Sequence, residues 1–146
     1  GDEIWSETFG NMYLTSPSGY SIDDGYSVQQ TSDGGYIITG STDFYGSWTD
    51  VWLIKADSSG KKLWDKTFGR PGWDWGNSVQ QTSDGGFIVA GYTESSDGWL
   101  IKTDANGDGV WSKTFSDKEG GSGKSVQQTP DGGYIIGQMQ FEVAGE

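Results

Sequence analysis

The sequence predicts an all-β repeat protein, and three observations lead to that class. A long motif occurs three times, at 27–40, 78–91 and 125–138, and reads SVQQTSDGGYIITG, SVQQTSDGGFIVAG and SVQQTPDGGYIIGQ. The copies begin 51 and then 47 residues apart. Each copy joins two strand-like segments through an Asp-Gly-Gly turn, and no stretch carries the apolar period of a helix. A period of this length, built from strands, indicates an array of similar sheets.

Each repeat divides into four predicted strands. The first, such as 25–31, alternates small or apolar residues with polar ones and ends at an Asp-Gly turn, where glycine supplies a positive φ. The second, 36–42, is β-branched and aromatic. The third, 51–55, is almost entirely apolar, as expected of a strand covered on both faces. A turn at 57–60 then leads into the fourth, which carries the W-x-K-T-F signature.

Four antiparallel strands in a repeat of about 40 to 50 residues are typical of a β-propeller blade. The repeats resemble the prokaryotic seven-bladed β-propeller repeat family, whose units run G-x-S-V-x-x-T-x-D-G-G-Y-I-x-x-G, then D-x-W-L-I-K-x-D-x-x-G, then W-x-K-T-F-G. The resemblance covers nearly the whole chain. It implies blades that pack face to face around an axis, but it implies no particular activity, because propellers host many functions.

The blade count is the unusual feature of this chain. We predict a single repeat domain over 1–146, with a lone fourth-type strand at 3–9, complete blades at 24–69 and 75–116, and a partial blade at 123–145. The N-terminal strand is expected to complete the partial blade, which gives about three blades with the third composite.

Propellers close with four to eight blades, so a stack of three would expose an apolar face at each end. The sequence therefore predicts that the protein self-associates, with a second copy of the same chain as its partner. A homodimer would form a six-bladed ring, whereas a head-to-tail contact that does not close would form a filament.

Composition and charge exclude several function classes. The chain has no Cys and no His, so thiolate or imidazole catalysis and the usual zinc ligands are absent. Nine basic residues stand against 21 acidic ones, for a net charge of −12, which disfavours nucleic-acid and anionic-membrane partners. No apolar run is long enough for membrane insertion. An acidic chain rich in Trp and Gly and without Cys indicates an extracellular or cell-surface location.

Carboxylates are the main catalytic groups left, but no pair of them is singled out by its spacing. We therefore predict a non-catalytic structural or adhesion protein that self-associates through its blade ends.

A carbohydrate-binding lectin is the alternative, and it rests on one cluster of loops. The connections between second and third strands, and between repeats, should share one face of the array. Flat rings beside carboxylates suit the C–H faces and hydroxyl groups of sugars. The competing interpretation is that these rings pack between blades or at a subunit contact. The candidate ligand-binding residues are Asp43, Phe44, Tyr45, Trp48, Trp73, Asp74 and Trp75.

No cofactor is predicted, with one alternative. Asp104, Asn106 and Asp108 match the first half of a calcium loop, D-x-N-x-D-G. The twelfth position is Phe115, where such a loop needs a bidentate Glu. A plain hairpin turn is favoured over a bound Ca²⁺ ion.

Two further sets of repeated residues have predicted structural roles. The periodic tryptophans are expected to form the core between blades. The paired glutamines lie mid-strand, so one of each pair should face either side of its blade and satisfy cross-blade hydrogen bonds. A polar central channel is the alternative for the glutamines. The tryptophans are Trp5, Trp52, Trp64, Trp99 and Trp111, and the glutamine pairs are 29–30, 80–81 and 127–128.

Overall fold

The computed structural model describes residues 5–10, 23–43, 48–95, 97–116 and 121–139, and its regular structure is entirely β. The predicted all-β class is confirmed. No helix capable of spanning a membrane occurs in this described part of the chain. The ten strands are β1 (Asp23–Gln30), β2 (Tyr36–Asp43), β3 (Thr49–Ala56), β4 (Lys62–Phe68), β5 (Asp74–Gln81), β6 (Phe87–Thr93), β7 (Gly98–Thr103), β8 (Gly109–Phe115), β9 (Ser122–Gln128) and β10 (Tyr134–Met139).

The strands form three antiparallel sheets in chain order. Blade 1 is β1-β2-β3-β4 and blade 2 is β5-β6-β7-β8. The third sheet contains β9 and β10, and residues 140–145 of the predicted partial blade lie outside the described residues. The inner strands β1, β5 and β9 lie side by side. The sheets therefore stack like blades, but within the described chain they close no ring.

The Asp-Gly-Gly turns join the two inner strands of each sheet. Gly34 has a φ of +82°, a conformation that favours glycine. The Asp33 carboxylate accepts hydrogen bonds from the Thr31 hydroxyl and the Gly35 N–H. Lys55 reaches the same carboxylate from β3 at 3.0 Å. Blade 2 repeats this arrangement with the corresponding residues Gly85, Asp84, Thr82, Gly86 and Lys102.

The apolar core lies between sheets. Neighbouring residues on a strand face opposite sides, so β2 directs Ile37 toward blade 2 and Ile38 away from it. The first interface buries Ile37, Val51 and Leu53 of blade 1 against Val79, Phe87, Val89, Trp99 and Ile101 of blade 2. The second buries Ile88, Ala90 and Leu100 of blade 2 against Val126 of the third sheet.

The predicted role of the repeated tryptophans is confirmed for Trp64, Trp99 and Trp111. Trp99 is buried in the first interface, whereas Trp52 is buried on the side of blade 1 that points away from blade 2 and Trp5 is 43% exposed. Trp64 packs edge-on against Phe87 of the next blade at a ring-centroid distance of 5.9 Å. Trp111 makes the same contact with Tyr134 of the third sheet at 5.8 Å.

The N-terminal segment differs from the prediction. Residues 5–10 form no strand and belong to none of the three sheets. Trp5 instead packs on Tyr36 of blade 1 at 5.6 Å, as Trp64 packs on the equivalent Phe87. Phe87 faces the preceding blade, so Trp5 occupies the side of blade 1 that points away from blade 2. The third sheet stands at the other end of the stack, and a composite third blade is therefore not formed among the described residues of a single chain.

Candidate functional site

A row of four aromatic rings runs along the edge of the stack that carries the inter-blade connections. Trp48 precedes β3, and its ring lies 6.2 Å from that of Trp73 in the connection between blades. Trp73 meets Trp75 of β5 edge-on at 6.2 Å. Trp75 stacks on Tyr92 at 4.6 Å and an interplanar angle of 16°, because β5 and β6 place these two residues opposite each other. We call these four residues the aromatic row.

The aromatic row is exposed at one end and covered at the other. Trp48 is 50% and Trp73 47% exposed, whereas Trp75 and Tyr92 are half-buried. The Lys124 ammonium group of the third sheet lies 5.2 Å from the centre of the Tyr92 ring. The two exposed rings are tilted by 55° to each other, so they form a faceted surface and not a flat platform.

The acidic residues predicted beside these rings have different environments. Asp43 ends β2, pairs in register with Thr49 and is half-buried. Asp74 is 1% exposed, and its carboxylate accepts a hydrogen bond from the backbone N–H of Arg70 at 2.7 Å. At that depth the Asp74 carboxylate does not reach a ligand on the surface. The remaining two predicted residues, Phe44 and Tyr45, lie outside the described residues.

Burial sets the protonation behaviour of Asp74. It raises the pKa of this carboxyl to about 6, and the nearby Asp50 and Glu94 carboxylates add to the effect, while the Arg70 N–H opposes it. Burial also raises the pKa of Asp50. Asp74 and Asp50 therefore lie in surroundings that disfavour the ionised form of the carboxyl group.

One ring of the aromatic row was missed by sequence reasoning. Tyr92 completes the stack, and strand pairing with Trp75 was the signal that could have found it. Arg70 lies over the Trp99 ring at 5.6 Å and helps to line a cleft of about 340 Å³ with Pro71, Thr93, Glu94 and Ser95. No periodic pattern in the sequence points to that contact, because Arg70 lies in a connection that the repeats do not share.

The residues predicted as an alternative calcium loop form a hydrogen-bonded turn. The Asp104 carboxylate accepts the backbone N–H groups of Asn106 and Asp108 at 2.9 Å each. The Asp108 carboxylate pairs with Lys66 of blade 1 at 2.7 Å. Within the described residues, no group of three or more acidic side chains has the geometry to hold a metal ion.

The paired glutamines form a ladder between blades, as predicted. The Gln29 side-chain oxygen accepts the Gln81 N–H at 2.6 Å across the first interface, and Gln80 accepts the Gln128 N–H at 2.5 Å across the second. In return, the Gln81 side chain accepts the Ser32 N–H at 2.8 Å. Beside this ladder, the inner strands line an open groove of about 380 Å³.

The two ends of the stack differ from its interior. We call the side of blade 1 that points away from blade 2 the leading face, and the side of the third sheet that points away from blade 2 the trailing face. Val28 on the leading face is 64% exposed, whereas its repeat equivalents Val79 and Val126 are 5% and 8% exposed. On the trailing face, Ile135 is 63% exposed. Both end residues border the groove on the inner strands.

No protein-family model matches this chain, and no curated protein is similar enough to count as a relative. The resemblance of its repeats to the seven-bladed propeller repeat family therefore stays a prediction.

Proposed function

We propose that this protein is a non-catalytic structural or adhesion module that self-associates through the two ends of its blade stack. The observation that carries the proposal is the contrast in burial between equivalent residues. Ile135 is 63% exposed, whereas Ile37 and Ile88 at the same position in the repeat are fully buried. A second copy seated on each end would bury the exposed residues as the interior does.

Burial of one Val and one Ile side chain does not by itself supply enough free energy for association. Burying most of a Val or Ile side chain contributes about 1 to 2 kcal/mol. Association costs at least about 4 kcal/mol in lost translational and rotational freedom. The contact must therefore also engage the backbone and amide groups of the two faces.

The proposed location is the cell surface or the extracellular space, and it rests on the acidic, Trp-rich and Gly-rich composition of a chain without Cys. Both a six-bladed ring of two chains and an open filament would satisfy the two faces.

Mass in solution tests this proposal. Light scattering and native mass spectrometry of the purified chain should give a dimer for the ring or a broad series of large species for the filament. The variant Ile135→Asp should be a monomer with an unchanged far-UV circular dichroism spectrum, because the site is exposed in a single chain. A wild-type protein that stays monomeric at high micromolar concentration would overturn the proposal.

Glycan binding is the second candidate function, and the exposed end of the aromatic row favours it. Trp48 and Trp73 present two half-exposed rings whose centroids are 6.2 Å apart, and each ring taken singly offers a flat apolar face to a sugar. Binding to a glycan array should be lost in Trp73→Ala while the mass in solution is unchanged. Val110→Ala is the control, because Val110 is 62% exposed on β8, away from the row and from both ends of the stack. Wild-type protein that binds no glycan on the array would remove this candidate.

A further inference from the structure

We propose that the contact between copies is head-to-tail, with the trailing face of one chain seated on the inner half of the leading face of the next. This inference rests on the proposed function and names the two surfaces and their register. The occupant of each face is a second copy of this chain, because the interior interfaces already show what covers the equivalent residues.

Four hydrogen bonds across the interior interfaces run in the same direction, from a backbone N–H group of the following sheet to a side chain of the preceding sheet. At the first, Ser27 and Gln29 of the preceding blade accept the N–H groups of Val79 and Gln81 of the following blade at 3.4 and 2.6 Å. At the second interface, Ser78 and Gln80 accept the N–H groups of Val126 and Gln128 at 3.2 and 2.5 Å. In these four bonds the side-chain acceptors lie on the preceding sheet and the backbone donors on the following one, whereas the bonds to the Gln81 and Gln128 side chains run the other way.

The trailing face carries the side-chain acceptors of this hydrogen-bonding pattern, and the leading face carries its backbone donors. Ser125 and Gln127 of the trailing face are the repeat equivalents of the acceptors Ser27 and Gln29. Val28 and Gln30 of the leading face are the equivalents of the donors Val79 and Gln81. A trailing face placed before a leading face matches acceptors with donors. Two leading faces placed together would set backbone donors against donors, and two trailing faces would leave Ser125 and Gln127 without these backbone donors, so the heterologous arrangement is favoured.

A glycine on the leading face provides an independent argument. A Cβ atom added to Gly76 would lie 2.5 Å from the Thr39 hydroxyl oxygen of the preceding blade. At Gly123 it would lie 3.0 Å from the Gly91 carbonyl oxygen. At the equivalent Gly25 the nearest atom, 3.9 Å away, belongs to Ile38 of the same blade. Glycine weakens a strand interior unless another backbone approaches it closely, and a second copy would supply that approach.

The open area of the leading face also fits the shape of the third sheet. Trp52 and Ile54, both on β3, are already buried at 6% and 3% exposure. Val28 on the innermost strand is the exposed part. The described third sheet consists of two inner strands, β9 and β10, which cover an inner half and leave the position of Trp5 undisturbed.

One hydrogen bond of the interior pattern cannot form between copies. Ser32 and Ser83 donate their N–H groups to Gln81 and Gln128 of the following sheet at 2.8 Å each. The equivalent residue next to the trailing face is Pro130, which has no N–H. The contact between copies is therefore weaker than an interior interface. Pro130→Ser should tighten association by about 3- to 10-fold, in proportion to one added hydrogen bond.

A mixing experiment tests the direction of the contact. Val28→Asp breaks the leading face and Ile135→Asp breaks the trailing face. Each variant alone should be monomeric by native mass spectrometry. Their equimolar mixture should form a 1:1 heterodimer, because the intact trailing face of the first variant fits the intact leading face of the second.

The outcomes separate this inference from the proposed function. A variant that still forms homodimers alone, or a mixture that stays monomeric while the wild type associates, would overturn the head-to-tail register and leave self-association intact. A monomeric wild type would overturn both.

Gly25→Ala provides a second readout that does not introduce a charge. The added methyl group makes only an ordinary 3.9 Å contact with Ile38 within one chain, so the melting temperature should not fall. Association should weaken at least about 10-fold, because the approaching sheet has no room for it. Gly109→Ala is the control, since its added Cβ would make an ordinary 3.5 Å contact with Phe68 away from both end faces. Equal association of the Gly25→Ala variant and the wild type would count against this packing.

Discussion

The interior interfaces and the end faces of the stack carry the same repeat residues in opposite environments. Ile88 is fully buried between blade 2 and the third sheet, whereas Ile135, one repeat later, is 63% exposed. The local sequence and the strand register are alike at both sites. The difference shows that burial in this fold depends on the presence of the next sheet and not on the motif itself.

The turns differ along the stack in a similar way. Asp33 and Asp84 each receive a buried lysine from the third strand of their own blade, at 3.0 Å. Asp131 of the third sheet accepts the Thr129 hydroxyl and the Gly133 N–H. Among the residues that the structure describes, no lysine reaches the Asp131 carboxylate. The third sheet therefore retains the turn without its electrostatic support.

The largest expected effect compares the two isoleucines directly. Ile88→Ala should lower the free energy of unfolding by about 2 to 5 kcal/mol, because it leaves a cavity between packed sheets. Ile135→Ala should change it by less than about 0.5 kcal/mol, as expected of an exposed site. Urea unfolding, at a protein concentration below that of association, measures both. Equal losses would mean that the trailing face is already covered within one chain.

The buried lysine of blade 2 should have the next largest effect. Lys102→Met keeps the apolar stem but removes the ammonium group that bonds Asp84 and the Thr103 carbonyl oxygen. The loss should be about 1.5 to 3 kcal/mol, the range for hydrogen bonds to charged groups. Lys113→Met, at an exposed position, is the matched control.

Lys102→Met should also change the pKa of Asp84. Hydrogen bonds from Thr82, Lys102 and Gly86 hold the pKa of Asp84 at about 2. Without the lysine, the pKa of Asp84 should rise, as followed by NMR, and the turn should resemble that of Asp131. An unchanged pKa would show that the Thr82 hydroxyl and the Gly86 N–H alone are sufficient.

Asp74 should give the wild-type protein a pH dependence of opposite sign to that of a salt-bridged carboxylate. Its pKa of about 6 lies above the ordinary aspartate value of 3.8 that applies in the unfolded chain. Between those values the native state binds more protons, so this residue lowers stability as pH rises from 4 to 6. The change should be on the order of 1 to 2 kcal/mol. The variant Asp74→Asn can still accept the hydrogen bond from the backbone N–H of Arg70, but it has no carboxyl group to titrate. In urea unfolding curves of this variant, the loss of stability between pH 4 and 6 that comes from Asp74 should disappear.

The smallest expected effect concerns a charge pair across the first interface. Lys66 of blade 1 pairs with Asp108 of blade 2, and Asp108 raises the pKa of that lysine. The repeat equivalents at the leading face are Glu7 and Lys61, with the charges exchanged. Lys66→Glu should lower the melting temperature slightly, because the pair is exposed and screened by salt. Lys66→Glu with Asp108→Lys should restore it, and failure of the double variant to recover would show that the pair contributes nothing.

Much of the fold could be predicted because its signals are local and repeated. Asp-Gly turns, alternating strands and the apolar third strand each specify their own geometry, and three copies remove most of the ambiguity. The candidate site was predicted less well. The rings of Trp48, Trp73 and Trp75 do meet, but Asp74 is buried and Tyr92 was missed. Those facts depend on connections that differ from repeat to repeat, for which the sequence has no internal comparison.

The sequence by itself determined the strands, the turns and the pairing of glutamines across blades, because each depends on residues close in the chain or on the repeat period. Only the tertiary structure decided where Trp5 packs and which faces of the stack are covered. Those outcomes depend on which sheet stands next to which. Every repeat carries similar stacking surfaces in its own sequence, so the motif alone does not distinguish an interior blade from an end.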